Sequence, residues 1–426
     1  MEHYGVVLFI LAIMVILSAV SESLKLPAPI LLILAGIGIG FIPVIPKVEL
    51  EPEVIFLLFL PPLLYDAAFN MEKDAFRVHF NTITTLGVSL VFLSTLGIAI
   101  VARYLIPGFT WPLAFVLGAI LSATDAVAAM GVTSGLGLTQ KTKDILEGES
   151  LVNDASALVA YRFSVAAVAG TGFVWWQAGL AFVRLMIGGV LVGLVMGRLF
   201  GLVLRQFPRN NLVIISFILL IPFITYLFAE AFQVSGVLAV VVLGLSMGHL
   251  SRKVFPEHLK QQSRNFWSVM IYLLNGLIFL LIGLQFPYIV QTLDERLIVP
   301  YIGYAVIITL AALLMRMARV FLQQVNLERA FVRQHKRVKE EALLDIRTSL
   351  IVSWSGMRGI VSLAIAIGLP LTLTDGTAFP QRNAIIFISV AVVLITLLGQ
   401  GLTLPWLVRK LAGKQNDKQT TTNLTP

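Results

Sequence analysis

Apolar runs long enough to cross a lipid bilayer recur along almost the whole chain. A helix needs about 20 apolar residues to span the hydrocarbon core. About thirteen segments qualify, at roughly 5–20, 28–46, 52–69, 82–106, 110–132, 148–170, 178–204, 211–232, 235–250, 264–286, 297–323, 348–370 and 382–409. This pattern predicts an all-α polytopic membrane protein. Residues 1–412 form the membrane domain, and the polar tail 413–426 is expected to be disordered in the cytoplasm.

Composition excludes the main alternatives. Only 13% of the residues are charged, against roughly 25% in soluble domains. Mean hydropathy is +0.91 over the full length, so no polar half exists to form a soluble enzyme on a single anchor. The 426 residues include no Cys, which removes disulfides, thiolate metal sites and cysteine nucleophiles. The start, Met1-Glu2-His3-Tyr4, lacks the basic region of a cleaved signal, so the first run reads as a retained helix. The net charge of +8 would suggest nucleic acid on a soluble chain; here cytoplasmic loops account for it, and no nucleic-acid partner is expected.

Lys and Arg set the orientation. With Arg409, Lys410, Lys414 and Lys418 in the cytoplasm, an odd number of spans puts the N-terminus outside. Only Lys47, Arg103, Arg296 and Arg382 then lie at the outer side, while Arg162, Arg184 and Arg358 fall within spans. The other 24 of 31 basic residues are cytoplasmic. The longest polar stretch, about 324–347, reads as a solvated linker or an amphipathic surface helix.

Thirteen spans divide as six, one and six. Residues about 5–170 and 211–409 are expected to be inverted repeats joined by a linker helix at about 178–204. The fifth segment of each half carries polar residues in mid-run, Ser122-Ala123-Thr124-Asp125 in one and Ser353-Trp354-Ser355-Gly356-Met357-Arg358-Gly359 in the other. Interrupted helices at matching positions point to a transport site.

A charge inside a span costs at least about 2.5–3.5 kcal/mol on insertion scales, so each one calls for a reason. The sixth segment opens Glu147-Gly148-Glu149-Ser150-Leu151-Val152-Asn153-Asp154. Ser150 and Asp154 share one helix face, and Glu149 and Asn153 the adjacent one. Asp154 lies roughly 9 Å above Gly148, and Thr124 roughly 12 Å from Val132 on the antiparallel fifth segment. Thr124, Asp125, Ser150, Asn153 and Asp154 can therefore meet at one depth. Their oxygen donors suit hard monovalent cations and protons rather than transition metals.

Arg358 stays protonated and needs either a carboxylate, Glu149 or Asp125, or free helix-end carbonyls. Asp125 can neutralise N-terminal helix ends and Arg358 C-terminal ones, a structural role. Asp66, after Pro61-Pro62-Leu63-Leu64-Tyr65, either lines a cytoplasmic funnel or marks a helix end. Glu230 reads as interfacial, and Arg162 as pairing outside the site.

Five motifs resemble those of Na⁺/H⁺ exchangers, in the same order. They are Phe59-Leu60-Pro61-Pro62-Leu63-Leu64-Tyr65-Asp66-Ala67, Ala123-Thr124-Asp125-Ala126-Val127-Ala128, Glu147 to Asp154, Ala229-Glu230 with Val234-Ser235-Gly236-Val237-Leu238-Ala239, and Gly356-Met357-Arg358-Gly359. The chain is similar to bacterial NhaP-type members of the monovalent cation:proton antiporter family. The resemblance implies a homodimer in the cell membrane, each protomer having a core domain that moves against a dimerisation domain. It implies that cation and proton compete at Asp154, that Na⁺ is ligated by Asp154, Thr124 and Ser150, and that Asp66 is a further candidate ligand. Asn153 would hold the site and a Glu149–Arg358 ion pair would brace it. No cofactor is implied beyond the transported ions. Regulation by a long cytoplasmic region, as in some relatives, is not expected.

The expected activity is electroneutral Na⁺/H⁺ exchange, with K⁺/H⁺ exchange as the alternative. A channel would need a selectivity filter, and the sequence has none. A membrane-embedded protease is disfavoured because HExxH is absent and His3, His79, His249, His258 and His335 sit at or outside span ends.

Overall fold

The computed structural model describes residues 11–21, 28–42, 52–133, 135–170, 175–206, 211–333, 340–373 and 375–422. They form helices and connecting turns; one isolated bridge joins Thr372 to Ala378, and the described residues contain no strand. In chain order the helices are α1 (Leu11–Ser21), α2 (Ala28–Gly40), α3 (Pro52–Asn70), α4 (Lys73–Thr84), α5 (Leu90–Leu105), α6 (Trp111–Ser122), α7 (Ala126–Val132) and α8 (Gln140–Val168). There follow α9 (Trp175–Gln206), α10 (Asn211–Ala231), α11 (Gly236–Val254), α12 (Glu257–Thr292), α13 (Glu295–Arg333), α14 (Ile346–Trp354), α15 (Ile360–Ile367) and α16 (Arg382–Thr422). A π-helical turn, Thr85–Ser89, joins α4 to α5.

Ten helical stretches among the described residues are long and apolar enough to cross a membrane, the broken α6–α7 stretch among them. The apolar helices α1 and α2 are shorter, and α14 and α15 are short halves either side of a break. Large apolar side chains such as Val299, Leu212 and Leu314 face outward, as a hydrocarbon solvent requires. Buried instead are Glu149 (1% exposed), Asn153 (1%), Arg316 (3%), Arg358 (4%) and Asp154 (8%).

Several helices outrun their apolar cores. Those expected from 82, 148 and 264 begin at Lys73, Gln140 and Glu257. At α8 the reason is visible: Thr139 caps the helix by accepting from the Thr142 N–H, so the helix starts before its apolar part. α13 continues to Arg333, which makes the first ten residues of the polar 324–347 stretch an extension of a membrane helix; residues 334–339 lie outside the described set. α16 continues to Thr422, through most of the segment read as a tail.

The helices pack in two groups. In one, α2 lies on α12, α3 on α11, and α9 and α10 on α11. In the other, α5 and α8 flank α6, α4 lies on α8, and α13 joins α5, α14 and α16. The α2–α12 crossing is close: a Cβ on Gly36 would stand 2.8 Å from the Gly283 Cα. α15 touches both groups, packing on α3 and α12 as well as α6 and α16.

Candidate functional site

The site is built where α6–α7 and α14–α15 break and cross. Between Ser122 and Ala126 the backbone is extended, and between Trp354 and Ile360 it is irregular. A break leaves helix-end N–H and C=O groups without helical partners. The two breaks supply partners for one another. The Asp125 N–H donates to the Met357 carbonyl at 2.8 Å. The Asp125 carboxylate accepts from the Ala128 N–H at 3.1 Å and, across the crossing, from the Ile360 N–H at 3.3 Å. One acid thus caps the N-termini of both α7 and α15. At the opposite ends the Arg358 guanidinium donates through Nη1 to the carbonyls of Ser122 (2.9 Å) and Ala123 (3.2 Å). Gly359 is required here because a Cβ would overlap the Asp125 side chain.

α8 passes beside this crossing. Its Ser150 hydroxyl donates to the Thr124 carbonyl at 3.1 Å and accepts from the Ala126 N–H at 3.4 Å. One turn on, Asn153 Nδ2 donates to Thr124 Oγ1 at 2.8 Å, and that hydroxyl donates to Glu149 Oε1 at 3.3 Å. Glu149 is held by Arg316 of α13, whose Nη2 reaches Oε2 at 2.9 Å while Nη1 donates to Oε1. The same guanidinium donates to the Val352 carbonyl of α14 through Nε (3.0 Å) and Nη2 (2.9 Å). A continuous chain of polar contacts therefore runs from α14 through Arg316, Glu149 and Thr124 to Asn153.

Asp154 stands apart from that chain. Its Oδ1 is fully buried without a hydrogen-bond partner, as is Asn153 Oδ1, and Asp154 forms no ion pair among the described residues. It lines a cavity of about 60 Å³ together with Thr124, Asp125, Ser150 and Asn275 of α12. A larger cavity of about 650 Å³ adjoins it, sharing Asp125, Val127, Asn275 and Ile360. The larger cavity reaches Ser21 and Ala28 at the facing ends of α1 and α2, Val132 at the end of α7, and Pro405 of α16. A buried carboxylate with nothing to neutralise it is expensive, so this cavity is where a proton or a cation would be most strongly held.

Thr124, Asp125, Ser150, Asn153 and Asp154 are brought together at the crossing. Asp66 is not. It lines neither cavity, and its Oδ1 accepts from Asn70 Nδ2 at 2.9 Å on its own helix. Arg162 pairs with Glu230 at 2.6 Å, away from the site, and the same carboxylate oxygen accepts from the Gly236 N–H.

Two expectations need correction. Glu149 pairs with Arg316 and not with Arg358; the carbonyls freed by the α6 break already satisfy Arg358, so it has no need of an acid. Arg316, counted among the cytoplasmic basic residues, is buried in the bundle. Its place seven residues inside the 297–323 segment was the available signal. Asn275 was not singled out either; a single amide in an apolar run gives no pattern.

A family model described as the transmembrane sodium/hydrogen exchanger matches residues 8–410. The chain is 34% identical over 434 residues to a sodium, potassium, lithium and rubidium/H⁺ antiporter of Bacillus pumilus, an alignment covering 100% of this chain and 63% of that protein. The chain thus spans less than two thirds of that relative. It is 32% identical over 420 residues to the Na⁺/H⁺ antiporter NhaH of Halobacillus dabanensis, covering 95% of this chain and 97% of that one. Its fold resembles that of the sodium proton antiporter MjNhaP1 from Methanocaldococcus jannaschii, with a TM-score of 0.73 at 21% identity over 97% of this chain and 100% of the other.

Proposed function

The chain belongs to the sodium/hydrogen exchanger family, and from that premise we propose that it exchanges Na⁺ for H⁺ by alternating access, with Asp154 as the group both ions use. The observation that carries this reading is the buried, unpartnered Asp154 carboxylate beside the crossing of two broken helices. Either a proton or a cation neutralises it. The empty ionised form is costly to carry through a low-dielectric layer, which couples the two fluxes.

The ligand set is Asp154 with the Thr124 and Ser150 oxygens that line the same cavity. All are hard oxygen donors, suited to an alkali cation. Asn153 holds Thr124 in place, Asp125 and Arg358 hold the crossing, and Arg316–Glu149 braces it from behind. Asp66 is left out of the ligand set because it lines neither cavity. The named relatives include one for sodium, potassium, lithium and rubidium and one for sodium; K⁺/H⁺ exchange is the second reading.

The basic bias of the loops supports an N-terminus outside and a C-terminus in the cytoplasm; the larger cavity, which reaches Ser21, Ala28, Val132 and Pro405 at span ends on the cytoplasmic side of that map, then makes the conformation inward-facing. The two halves, about 5–170 and 211–409, are inverted repeats around the 178–204 linker; the breaks at Ala123–Asp125 and Ser355–Gly359, which meet at one crossing, support that layout. The assembly is a homodimer in the cell membrane. Of the two carboxylates that line the cavity, Asp125 is taken up in capping α7 and α15, which leaves Asp154 to carry the ions, one cation for one proton.

Reconstituted vesicles carrying a pH dye test this. Separate additions of NaCl, LiCl and KCl should show dequenching with Na⁺, unaffected by an imposed diffusion potential. A response to KCl alone transfers the reading to K⁺. No response to any of the three overturns it, and a potential-dependent rate overturns the one-for-one stoichiometry.

A further inference from the structure

A second concavity, of about 850 Å³, lies between α4, α9 and α11, lined by residues separate from those of the Asp154 cavity. Its two parts differ in chemistry. Arg77 of α4, Arg198 of α9, and Arg252 and Lys253 of α11 bring four cations to it. All four lie at the basic end of the bundle. The rest of the wall is apolar and includes Phe80, Leu194, Leu202, Val242 and Leu245. Phe80 and Leu202 remain 53% and 61% exposed.

The cations are not used internally, with one exception. Arg252 donates to the backbone carbonyls of Met71 (2.9 Å) and Phe69 (3.4 Å) and is thereby fixed in place. Arg77, Arg198 and Lys253 form no ion pair among the described residues. Among the described residues no acid lines the groove; Glu72, next to Met71, lines a neighbouring concavity that Arg252 also borders, and exposed Asp74 lies one turn before Arg77. Holding like charges around one concavity is unfavourable unless an anion joins them. A small soluble anion would need the cations but not the adjoining apolar wall.

We propose that this groove binds an anionic phospholipid, its phosphate among Arg198, Arg252 and Lys253 and its acyl chains along the apolar wall. Basic pockets between membrane helices at the cytoplasmic side suit such head groups, and ionised donors on phosphate make strong hydrogen bonds. A zwitterionic lipid brings its own cation and gains less. The groove also joins the two packing groups: α4 lies on α8, which carries Asp154, whereas α9 and α11 belong to the other group. A lipid seated there touches both.

Purified protein in neutral detergent is titrated with phosphatidylglycerol, phosphatidylcholine or inorganic phosphate, following binding by native mass spectrometry and stability by thermal unfolding. Phosphatidylglycerol should bind and raise the melting temperature, and the other two should not. The double variant Arg198→Gln/Lys253→Gln should bind it about 30-fold more weakly, at roughly 1 kcal/mol per cation, with its melting temperature in phosphatidylcholine unchanged. If that variant does not fold, Arg77→Gln, at an exposed position of α4, carries the same readout at about 5-fold. Equal effects of the two lipids overturn the proposal, as does an equal effect of inorganic phosphate. So does a variant that changes oligomeric size without losing lipid affinity, which would make the groove an interface between copies.

Discussion

Replacing Arg316 with Gln removes every donor that this guanidinium supplies. Glu149 Oε2 loses its bond at 2.9 Å, Oε1 keeps only the Thr124 hydroxyl at 3.3 Å, and the Val352 carbonyl loses two donors. Glu149 is 1% exposed, so water cannot take over. Breaking a buried ion pair from one side costs about 3–5 kcal/mol, and a buried carbonyl left unpaired adds about 1–3 kcal/mol. Relaxation and non-additivity make about 4 kcal/mol a working figure, a factor of roughly 10³ in the folded-to-unfolded ratio. Unfolding in mixed dodecylmaltoside–SDS micelles reads this directly. Adding Glu149→Gln should recover most of the loss, because the stranded charge is gone. Adding Arg358→Gln should recover nothing. Wild-type stability of Arg316→Gln would refute the reasoning, and recovery through Arg358 would restore the pairing that the structure does not show.

Asp154→Asn keeps the size and loses the charge, so exchange should vanish at every pH while expression holds. In the unmutated protein, lowering pH should raise the apparent KM for Na⁺ with little change in maximal rate; near-normal exchange by the mutant moves the site to another group. Gly359→Ala places a methyl on the Asp125 carboxylate and should sharply reduce folded yield, whereas Gly131→Ala meets nothing within 4 Å and should be neutral; equal yields would dissolve the steric argument. A reporter fused after Lys418 should be active only in the cytoplasm, and activity on the outer side alone would invert the topology.

Depth along a helix was legible in the sequence, while azimuth was not. The break at Ser122–Asp125 and the Ser150–Asp154 spacing place their residues at one level, and the geometry brings them to one crossing. Asp66 shares a helix with Leu63, Leu64 and Ala67, which line the small cavity, yet points elsewhere. Arg316 failed for a related reason. An arginine near the inner end of an apolar run either snorkels to the surface or turns into the bundle, and only the packing of α13 on α5 and α14 decides. The Glu149–Arg358 pair came from the family resemblance; the other partner the sequence offered Arg358, the helix-end carbonyls, is the one it has. Helix ends were misread where capped polar turns extend beyond the apolar run, as at Thr139.

The cap that Asp125 places on both α7 and α15 has a thermodynamic consequence. It locks the two half-helices to each other, and Ser150 and Asn153 lock α8 to the same unit. Under the proposed mechanism the Thr124 and Ser150 oxygens and the helix that carries Asp154 would then move as one unit. A unit that moves whole would have the same intrinsic affinity for an ion arriving from either compartment. Cation titrations from the two faces at equal pH should return the same constant; a large difference would mean that the unit deforms in transit. The gradients set the sign of net flux in either case; a single constant means that both faces half-saturate at the same cation concentration.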